Sequence, residues 1–161
     1  MNMKLSEALM LRKEQRYKES NEILVALTEK YPENGTFQYQ CAWSFDVMGK
    51  ETEAVPYYEK AISLDLTATE LAGAYIGLGS TYRTIGDYTK SYDLLKRATT
   101  IFPENQALKV FLAMTLHNLG RYSDGMQILL TLLADTSADT NIQNYKRAIS
   151  FYADKLDETW S

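Results

Sequence analysis

Apolar residues recur along the chain at spacings of three and four, on both sides of four turns. The turn residues are Gln15, Gly49, Gly86 and Gly120, which are 34, 37 and 34 residues apart. At matching distances before each turn stand a small residue and an apolar one, in the pairs Ala8 and Leu11, Ala42 and Phe45, Gly79 and Tyr82, and Ala113 and Leu116. Because these spacings place side chains on one helical face, each repeat is predicted to be a helical hairpin.

The residues between the apolar runs predict where helices begin and end. Tyr31-Pro-Glu-Asn34 and Phe102-Pro-Glu-Asn105 each combine a proline that ends a helix with an asparagine that caps the next one. Thr67 and Glu70 have the spacing of a capping box, and three extra residues in this repeat predict a helix longer by about one turn. Pro56 falls about one turn into a predicted helix, where we expect it to be tolerated.

The third repeat carries a recognisable motif, Tyr75-Ile-Gly-Leu-Gly-Ser-Thr-Tyr82 followed by Gly86-Asp-Tyr88, Ala98 and Pro103. It resembles the tetratricopeptide repeat, whose period is 34 residues. Gln15, Glu51 and Asp135 depart from that pattern, so the first and fourth repeats match it least. Compared as a whole, the chain is also similar to small stand-alone tetratricopeptide proteins of Gram-positive bacteria.

The resemblance implies an all-α fold, a right-handed superhelix of helix-turn-helix hairpins with about four repeats and a C-terminal helix. A single domain is expected over residues 1–161. The repeats are predicted at about 1–34, 35–68, 69–105 and 106–138, and the terminal helix at about 139–160.

Composition and charge narrow the function classes. The net charge of −4, with no cluster of Lys and Arg, disfavours nucleic acid and anionic membranes as partners. Cys41 is the only cysteine, which excludes an internal disulfide and predicts a core position. No apolar stretch has the length of a secretory signal or a membrane span, and the cytoplasm is the expected location.

Candidate catalytic chemistry is sparse. Catalysis needs convergent reactive groups, and His117 and Cys41 fall on first helices of different repeats. Gly77-Leu-Gly79 lies within a helical pattern, where glycines favour close packing over phosphate binding. We therefore expect no enzyme activity, no cofactor and no metal site.

The resemblance implies that a concave groove, lined by the first helix of each hairpin, binds a protein or peptide. Carried onto this sequence, the groove comprises Leu5, Leu9, Arg12, Tyr39, Trp43, Asp46, Ile76, Ser80, Arg83, Val110, Met114 and His117. Grooves of this family that clamp a C-terminal carboxylate use Lys, Asn and Arg where Leu5, Leu9, Tyr39 and Trp43 stand here, which disfavours such a clamp. The apolar groove predicts an apolar or amphipathic segment as the partner, with Trp43 as the main anchor. Arg12, Arg83 and His117 could orient an acidic group on it. Alternatively, the repeats coil tightly and the groove packs on itself.

The predicted terminal helix has two apolar faces. Ala148 and Phe151 are expected to pack on the fourth hairpin. A second stripe, made of Ile142, Tyr145, Ile149, Tyr152 and Leu156, either folds over the groove or is covered by another chain. The preferred hypothesis is a non-catalytic interaction scaffold that forms a homodimer partly through this stripe. The alternative is a sensor that binds a short peptide or small apolar ligand in the groove.

Overall fold

The computed structural model describes residues 3–160, and in this part of the chain the backbone is helical with no strand. The chain divides into two compact units, Met1–Asp87 and Tyr88–Ser161, and the boundary falls between the two helices of the third predicted repeat. The single domain over 1–161 stays a prediction. Its ends, at residues 1–2 and 161, lie outside the described residues.

The first unit contains five helices among the described residues. They are α1 (Met3–Lys13), α2 (Tyr17–Lys30), α3 (Gly35–Asp46), α4 (Glu51–Ile62) and α5 (Ala68–Thr84). Each helix packs on the next one in the chain, and α3 also contacts α5 directly. At 17 residues, α5 is longer than α1 and α3, which have 11 and 12. The predicted extra turn is therefore confirmed.

The second unit contains the other described helices. They are α6 (Tyr88–Ile101), α7 (Gln106–Asn118), α8 (Tyr122–Thr136), α9 (Thr140–Asn144) and α10 (Lys146–Tyr152). Helix α7 packs between α6 and α8, and α10 packs on α8. The all-helical fold with repeated antiparallel pairs confirms the predicted fold class.

The four predicted turn residues share one backbone conformation. Gln15, Gly49, Gly86 and Gly120 all have positive φ, between 62° and 86°. Glycine adopts this left-handed region without a steric cost, whereas Gln15 carries a side chain there. The repeat landmarks in the sequence are thus the positions where the chain reverses direction.

The predicted helix punctuation is confirmed. The side chain of Asn34 accepts a hydrogen bond from the backbone N–H of Phe37 at 3.0 Å, and Asn105 caps α7 in the same way. Thr67 and Glu70 form the reciprocal capping box. Pro56 lies inside α4, which continues through it.

The core also follows the sequence pattern. Tyr58 and Tyr82 are buried, as is Cys41, which contacts no solvent. Burial raises the pKa of the Cys41 thiol to about 12, so this cysteine is a protonated packing residue at neutral pH.

The prediction of a single terminal helix over 139–160 is wrong. The structure has the short helices α9 and α10, which meet at Tyr145, followed by turns. Asp139 caps α9 by accepting hydrogen bonds from two backbone N–H groups, but Tyr145 then closes a tighter turn onto Ile142 at 3.1 Å. The asparagines in α9 are poor helix formers, and it is α10 that packs on α8.

The prediction that Ala148 and Phe151 pack on the fourth hairpin is wrong as well. Ala148 and Phe151 are exposed, the latter to 53%. Ala153, one residue beyond α10, is the buried residue of this segment. Because the helix breaks at Tyr145, residues after the break no longer share the face that continuous helical spacing assigns to them.

Candidate interaction surface

The first helices of the first unit carry a half-exposed surface, which we call the first-helix face. Its members are Leu9, Arg12, Tyr39, Gln40, Trp43, Asp46, Ile76, Ser80 and Arg83. They come from α1, α3 and α5, and side-chain contacts connect neighbouring helices across it.

Arg12 of α1 and Trp43 of α3 make the most exposed contact of this face. The Arg12 guanidinium carbon lies 3.9 Å from the centroid of the Trp43 ring, which is 41% exposed. Arg12 Nη2 also donates a hydrogen bond of 2.6 Å to the side-chain oxygen of Gln40. Stacking and hydrogen bonding together fix the orientation of both large side chains.

Two tyrosines on this side of the unit lie directly against glycines of α5. A Cβ atom added to Gly73 would overlap the Tyr39 hydroxyl, and one added to Gly77 would overlap the Tyr58 ring. The Tyr39 ring lies 6.1 Å from the ring of Trp43 and 6.3 Å from that of Tyr58, centroid to centroid. The glycines of α5 therefore make room for an aromatic row behind Trp43.

Asp46, at the end of α3, connects this row to α5. Its Oδ2 accepts a hydrogen bond from the Tyr58 hydroxyl at 2.6 Å, and its Oδ1 accepts one from the Thr81 hydroxyl at 3.0 Å. Burial raises the pKa of Asp46, while these two hydrogen bonds act in the opposite direction. The carboxylate thus joins α3, α4 and α5 through hydrogen bonds with hydroxyl groups.

Burial also lowers the pKa of Arg12, although the nearby hydroxyls of Tyr39 and Tyr58 favour its charge. The guanidinium stays protonated at neutral pH because its ordinary pKa lies above 12. The surface therefore holds a half-buried cation within aromatic surroundings.

The predicted groove residues do not all reach this face. Leu5 is buried with Ala8 and Leu24 in the core, so it is not available to a partner, and Leu9 packs partly against the same cluster. Ile76, Ser80 and Arg83 of α5 are half-buried. Leu5 is therefore the predicted groove residue that burial removes from this face.

Val110, Met114 and His117 belong to α7 in the second unit. Met114 is exposed, Val110 is half-buried, and the His117 ring contacts Tyr122 of α8 edge to face at 5.1 Å. No hydrogen bond that the structure describes connects these three side chains to one another.

Sequence reasoning missed Gln40, Gly73 and Thr81. A signal for the glycines was present, because Gly73 and Gly77 stand four apart within one helix, where each costs about 1 kcal/mol against alanine. Such a pair indicates a close approach of another group. Gln40 and Thr81 left no comparable signal, because their roles depend on which helices become neighbours.

The terminal segment carries a second exposed surface. Phe151, Tyr152 and Trp160 form the terminal aromatic cluster, with ring centroids 5.1 to 6.3 Å apart. Of the predicted self-association stripe, Tyr145, Tyr152 and Leu156 are exposed, whereas Ile142 and Ile149 are half-buried. The break at Tyr145 splits the stripe, and Trp160 joins it from a position that helical spacing did not indicate.

Within residues 3–160, no three or more His, Cys, Asp or Glu side chains are grouped closely enough to hold a metal ion. In the same range no helix combines the length and apolar character needed to cross a membrane.

Comparisons with solved structures support the fold. MamA covers 90% of this chain and 74% of its own, with 15% identity and a TM-score of 0.72. MamA from Desulfovibrio magneticus RS-1 gives a TM-score of 0.70 at 14% identity, covering 90% and 75% of the two chains. YrrB, described as a TPR protein with an unusual peptide-binding site, gives 0.71 at 15% identity and covers 88% and 71%.

A curated relative is the superkiller protein 3 of Saccharomyces cerevisiae, 22% identical over 108 residues. The match covers 63% of this chain but spans only about 7% of the length of that protein. The family model described as Tetratrico peptide repeat matches residues 35–156, which is most of the chain. The helical hairpins, the turn positions and this match together show that the chain belongs to the tetratricopeptide-repeat family.

Proposed function

We propose that this protein is a non-catalytic interaction module that binds an apolar or amphipathic segment of another protein on the first-helix face. Repeat proteins of this kind use their extended surfaces as binding scaffolds. The observation that carries the proposal is the exposed Trp43 indole, held between Arg12 and the aromatic row. A large ring that is both exposed and fixed in place loses little conformational entropy on binding.

The contacts behind Trp43 support this function. Tyr39 lies against Gly73, and the buried Tyr58 is hydrogen bonded to Asp46, so the floor of the face is rigid. The apolar side chains of Leu9 and Ile76, each half-buried, lie on the same face and add area for an apolar partner. A preorganised floor with an exposed aromatic anchor is the arrangement expected of a recognition surface.

The test uses a display library of random 12-residue peptides, from which peptides that bind the 161-residue chain are selected. We expect selected peptides to be rich in apolar residues and to lose most of their affinity for Trp43→Ala. The matched control is Trp160→Ala, which removes the other tryptophan and leaves binding unchanged. Peptides that bind both variants equally well contradict the proposed site.

A second part of the proposal is self-association through the terminal segment. The exposed terminal aromatic cluster supports a homodimer surface. Tyr145, which is 68% exposed, and Leu156, which lies between Tyr152 and Trp160 in sequence, add further exposed apolar side chains. Exposed apolar rings grouped in this way commonly mark interfaces. We expect Tyr145→Glu combined with Ile149→Glu to yield a folded monomer, and an unchanged mass in light scattering across a dilution series contradicts this.

The alternative is a sensor that binds a short peptide or a small apolar ligand on the same face and shifts an oligomeric equilibrium. The sensor stays an alternative because Trp43 and the terminal aromatic cluster are both exposed and belong to two different units. A peptide that binds at Trp43 and changes the measured mass supports the sensor, whereas binding without a change in mass supports the scaffold. A reducing compartment such as the cytoplasm suits either version, because Cys41 is a buried free thiol.

A further inference from the structure

Arg12 differs from the other arginines whose partners the structure describes. Arg16 pairs with Glu14 and Glu19, and Arg121 pairs with Asp124. Arg12 has no carboxylate within ion-pair distance among the described residues, and its hydrogen-bond partner is the neutral amide of Gln40. The charge of Arg12 is therefore not neutralised within the part of the chain that the structure covers.

One nitrogen of Arg12 is also left without an acceptor. Its Nη1 atom is buried and has no hydrogen-bond partner in the described part of the chain. A buried donor with no acceptor is costly, and the cost is greater when the group is charged. A group that accepts a hydrogen bond at this edge would relieve the cost and therefore gain affinity.

Asp46, the carboxylate of the first-helix face, does not fill this role, because it lies beyond ion-pair distance of Arg12 and instead accepts hydrogen bonds from the hydroxyls of Tyr58 and Thr81. Burial also lowers the pKa of Arg12, and the groups that act in the opposite direction are the hydroxyls of Tyr39 and Tyr58, not a carboxylate. The missing acceptor must come from outside this network.

We infer that Arg12 and Trp43 together receive a carboxylate side chain, Asp or Glu, of an otherwise apolar or amphipathic segment of a partner protein. This inference rests on the proposed function of the first-helix face and names the chemistry of its partner. The carboxylate accepts from the Nη1 edge of Arg12, while apolar residues of the same segment pack on the Trp43 ring. Guanidinium binds carboxylate through its edge and aromatic rings on its face, so both contacts use the same side chain at once.

Trp43 reports on this event. The indole is the exposed side chain in contact with the guanidinium, so a carboxylate that binds Arg12 and apolar residues that pack on the ring both change its surroundings. In a Trp160→Phe background Trp43 is the single tryptophan, and its fluorescence changes when a carboxylate-bearing peptide binds.

The net charge of the chain does not by itself favour a partner that carries a carboxylate. The chain carries a net charge of −4, which repels acidic peptides at a distance. Selection of acidic peptides by this protein therefore requires a short-range contact with a particular cation. Because the contact is half-buried, affinity should change little when salt is raised beyond physiological strength.

The experiment selects binders from a display library of random 12-residue peptides, once on the wild-type 161-residue chain and once on Arg12→Gln. Wild-type selections are expected to be enriched in peptides that combine Asp or Glu with apolar residues, and Arg12→Gln selections to lose the acidic enrichment. For the best wild-type peptide, replacing its Glu by Gln should weaken binding on the order of tenfold on wild type and less than about twofold on Arg12→Gln. Arg12→Glu should instead bind the Glu-to-Lys version of the peptide.

Arg12→Lys is the matched control for charge alone. It keeps the positive charge but loses the planar fork and the stacking on Trp43, so its affinity should fall between those of wild type and Arg12→Gln. Thermal unfolding of each variant establishes that the protein is folded. The variants lose contacts with Trp43 and Gln40, so a modest fall in melting temperature is expected, and affinities are compared only among variants that unfold cooperatively.

Three outcomes overturn the inference. Trp43-dependent peptides without acidic enrichment leave the proposed function standing and refute the carboxylate site. Selections that yield no Trp43-dependent peptide refute the proposed function and the inference with it. If Arg12→Gln or Trp43→Ala instead converts a dimer to a monomer in light scattering, the occupant of this face is a second copy of the chain.

Discussion

The first-helix face and the terminal aromatic cluster both expose large rings, but they hold those rings differently. Trp43 is stacked on Arg12, and behind it the hydrogen bond between Tyr58 and Asp46 joins neighbouring helices. The rings of the terminal cluster contact mainly one another, on a short helix and the turns after it. Exposed aromatic side chains of one chain thus differ in what supports them from behind. A ring that is fixed in place favours selective recognition, whereas rings that contact mainly one another favour adaptable association.

The largest effect is expected from overfilling the floor of the first-helix face. Gly77→Ala places a methyl group where the buried Tyr58 ring lies, so it should lower the free energy of unfolding by about 3 kcal/mol. Denaturant unfolding monitored by circular dichroism measures this. Ser80→Ala, on the same helix and half-buried, is the control and should change stability by less than about 0.5 kcal/mol. Equal stability of both variants contradicts a rigid floor.

The second-largest effect is expected from removing one tyrosine hydroxyl, which should destabilise the first unit more than the terminal segment. Tyr58→Phe deletes the 2.6 Å hydrogen bond to Asp46 and should cost about 2 kcal/mol, because the acceptor is a half-buried carboxylate. Tyr152→Phe in the terminal cluster should cost less than about 0.5 kcal/mol, because its ring is exposed. Urea unfolding of the two variants under one buffer condition tests the contrast. A similar cost for both would remove the distinction between the regions.

The charge of Asp46 should make stability depend on pH. Burial raises the pKa of Asp46 in the folded state, so the folded protein binds its proton more tightly than the unfolded chain does. Stability from this group is therefore present below the unfolded pKa of about 4 and is lost as the pH rises through the raised pKa. Each tenfold difference in proton affinity corresponds to about 1.4 kcal/mol.

Asp46→Asn removes this titration. The wild-type free energy of unfolding, measured relative to this variant, should decline as the pH rises from about 4 through the raised pKa of Asp46. The introduced amide keeps one oxygen acceptor for Tyr58, and Thr81 can donate to the Gly77 carbonyl, to which it already lies at 2.8 Å. A difference between the two proteins that does not change with pH refutes the raised pKa.

The smallest effect on stability is expected in the terminal cluster. Trp160→Ala removes an exposed ring and should change the free energy of unfolding by less than about 0.5 kcal/mol. Light scattering should nevertheless show a weaker dimer if this cluster takes part in self-association. A large loss of stability would show that the cluster is a structural element and not an exposed surface.

Much of the fold was predictable from residues that act locally. Turn positions, helix caps and the buried tyrosines follow from spacing, because a helix repeats its faces every three to four residues. The terminal helix was mispredicted by the same reasoning. The apolar spacing continues across Tyr145, but the helix is interrupted there. The five residues of α9, capped by Asp139, form too short a helix to be stable by themselves.

The candidate surface was predictable only in part. Arg12 and Trp43 lie in contact, and Asp46 is hydrogen bonded to Thr81 of α5, whereas the role of these residues in binding stays a prediction. Leu5 was assigned to the same face but lies in the core. Helical phase does not tell a core position from a rim position when two apolar residues stand close together.

The period, the hairpins, the turns and the absence of an internal disulfide were all readable from the amino-acid sequence, since they depend on residues close in the chain or on composition. Helix packing, in contrast, determined that Arg12 has Gln40 and not a carboxylate as its hydrogen-bond partner, and that Asp46 is held by hydroxyls of α4 and α5. These partners lie up to 35 residues apart in sequence. Which side chains come into contact depends on how the helices pack, and the periodicity of the sequence does not predict the distance between side chains on different helices.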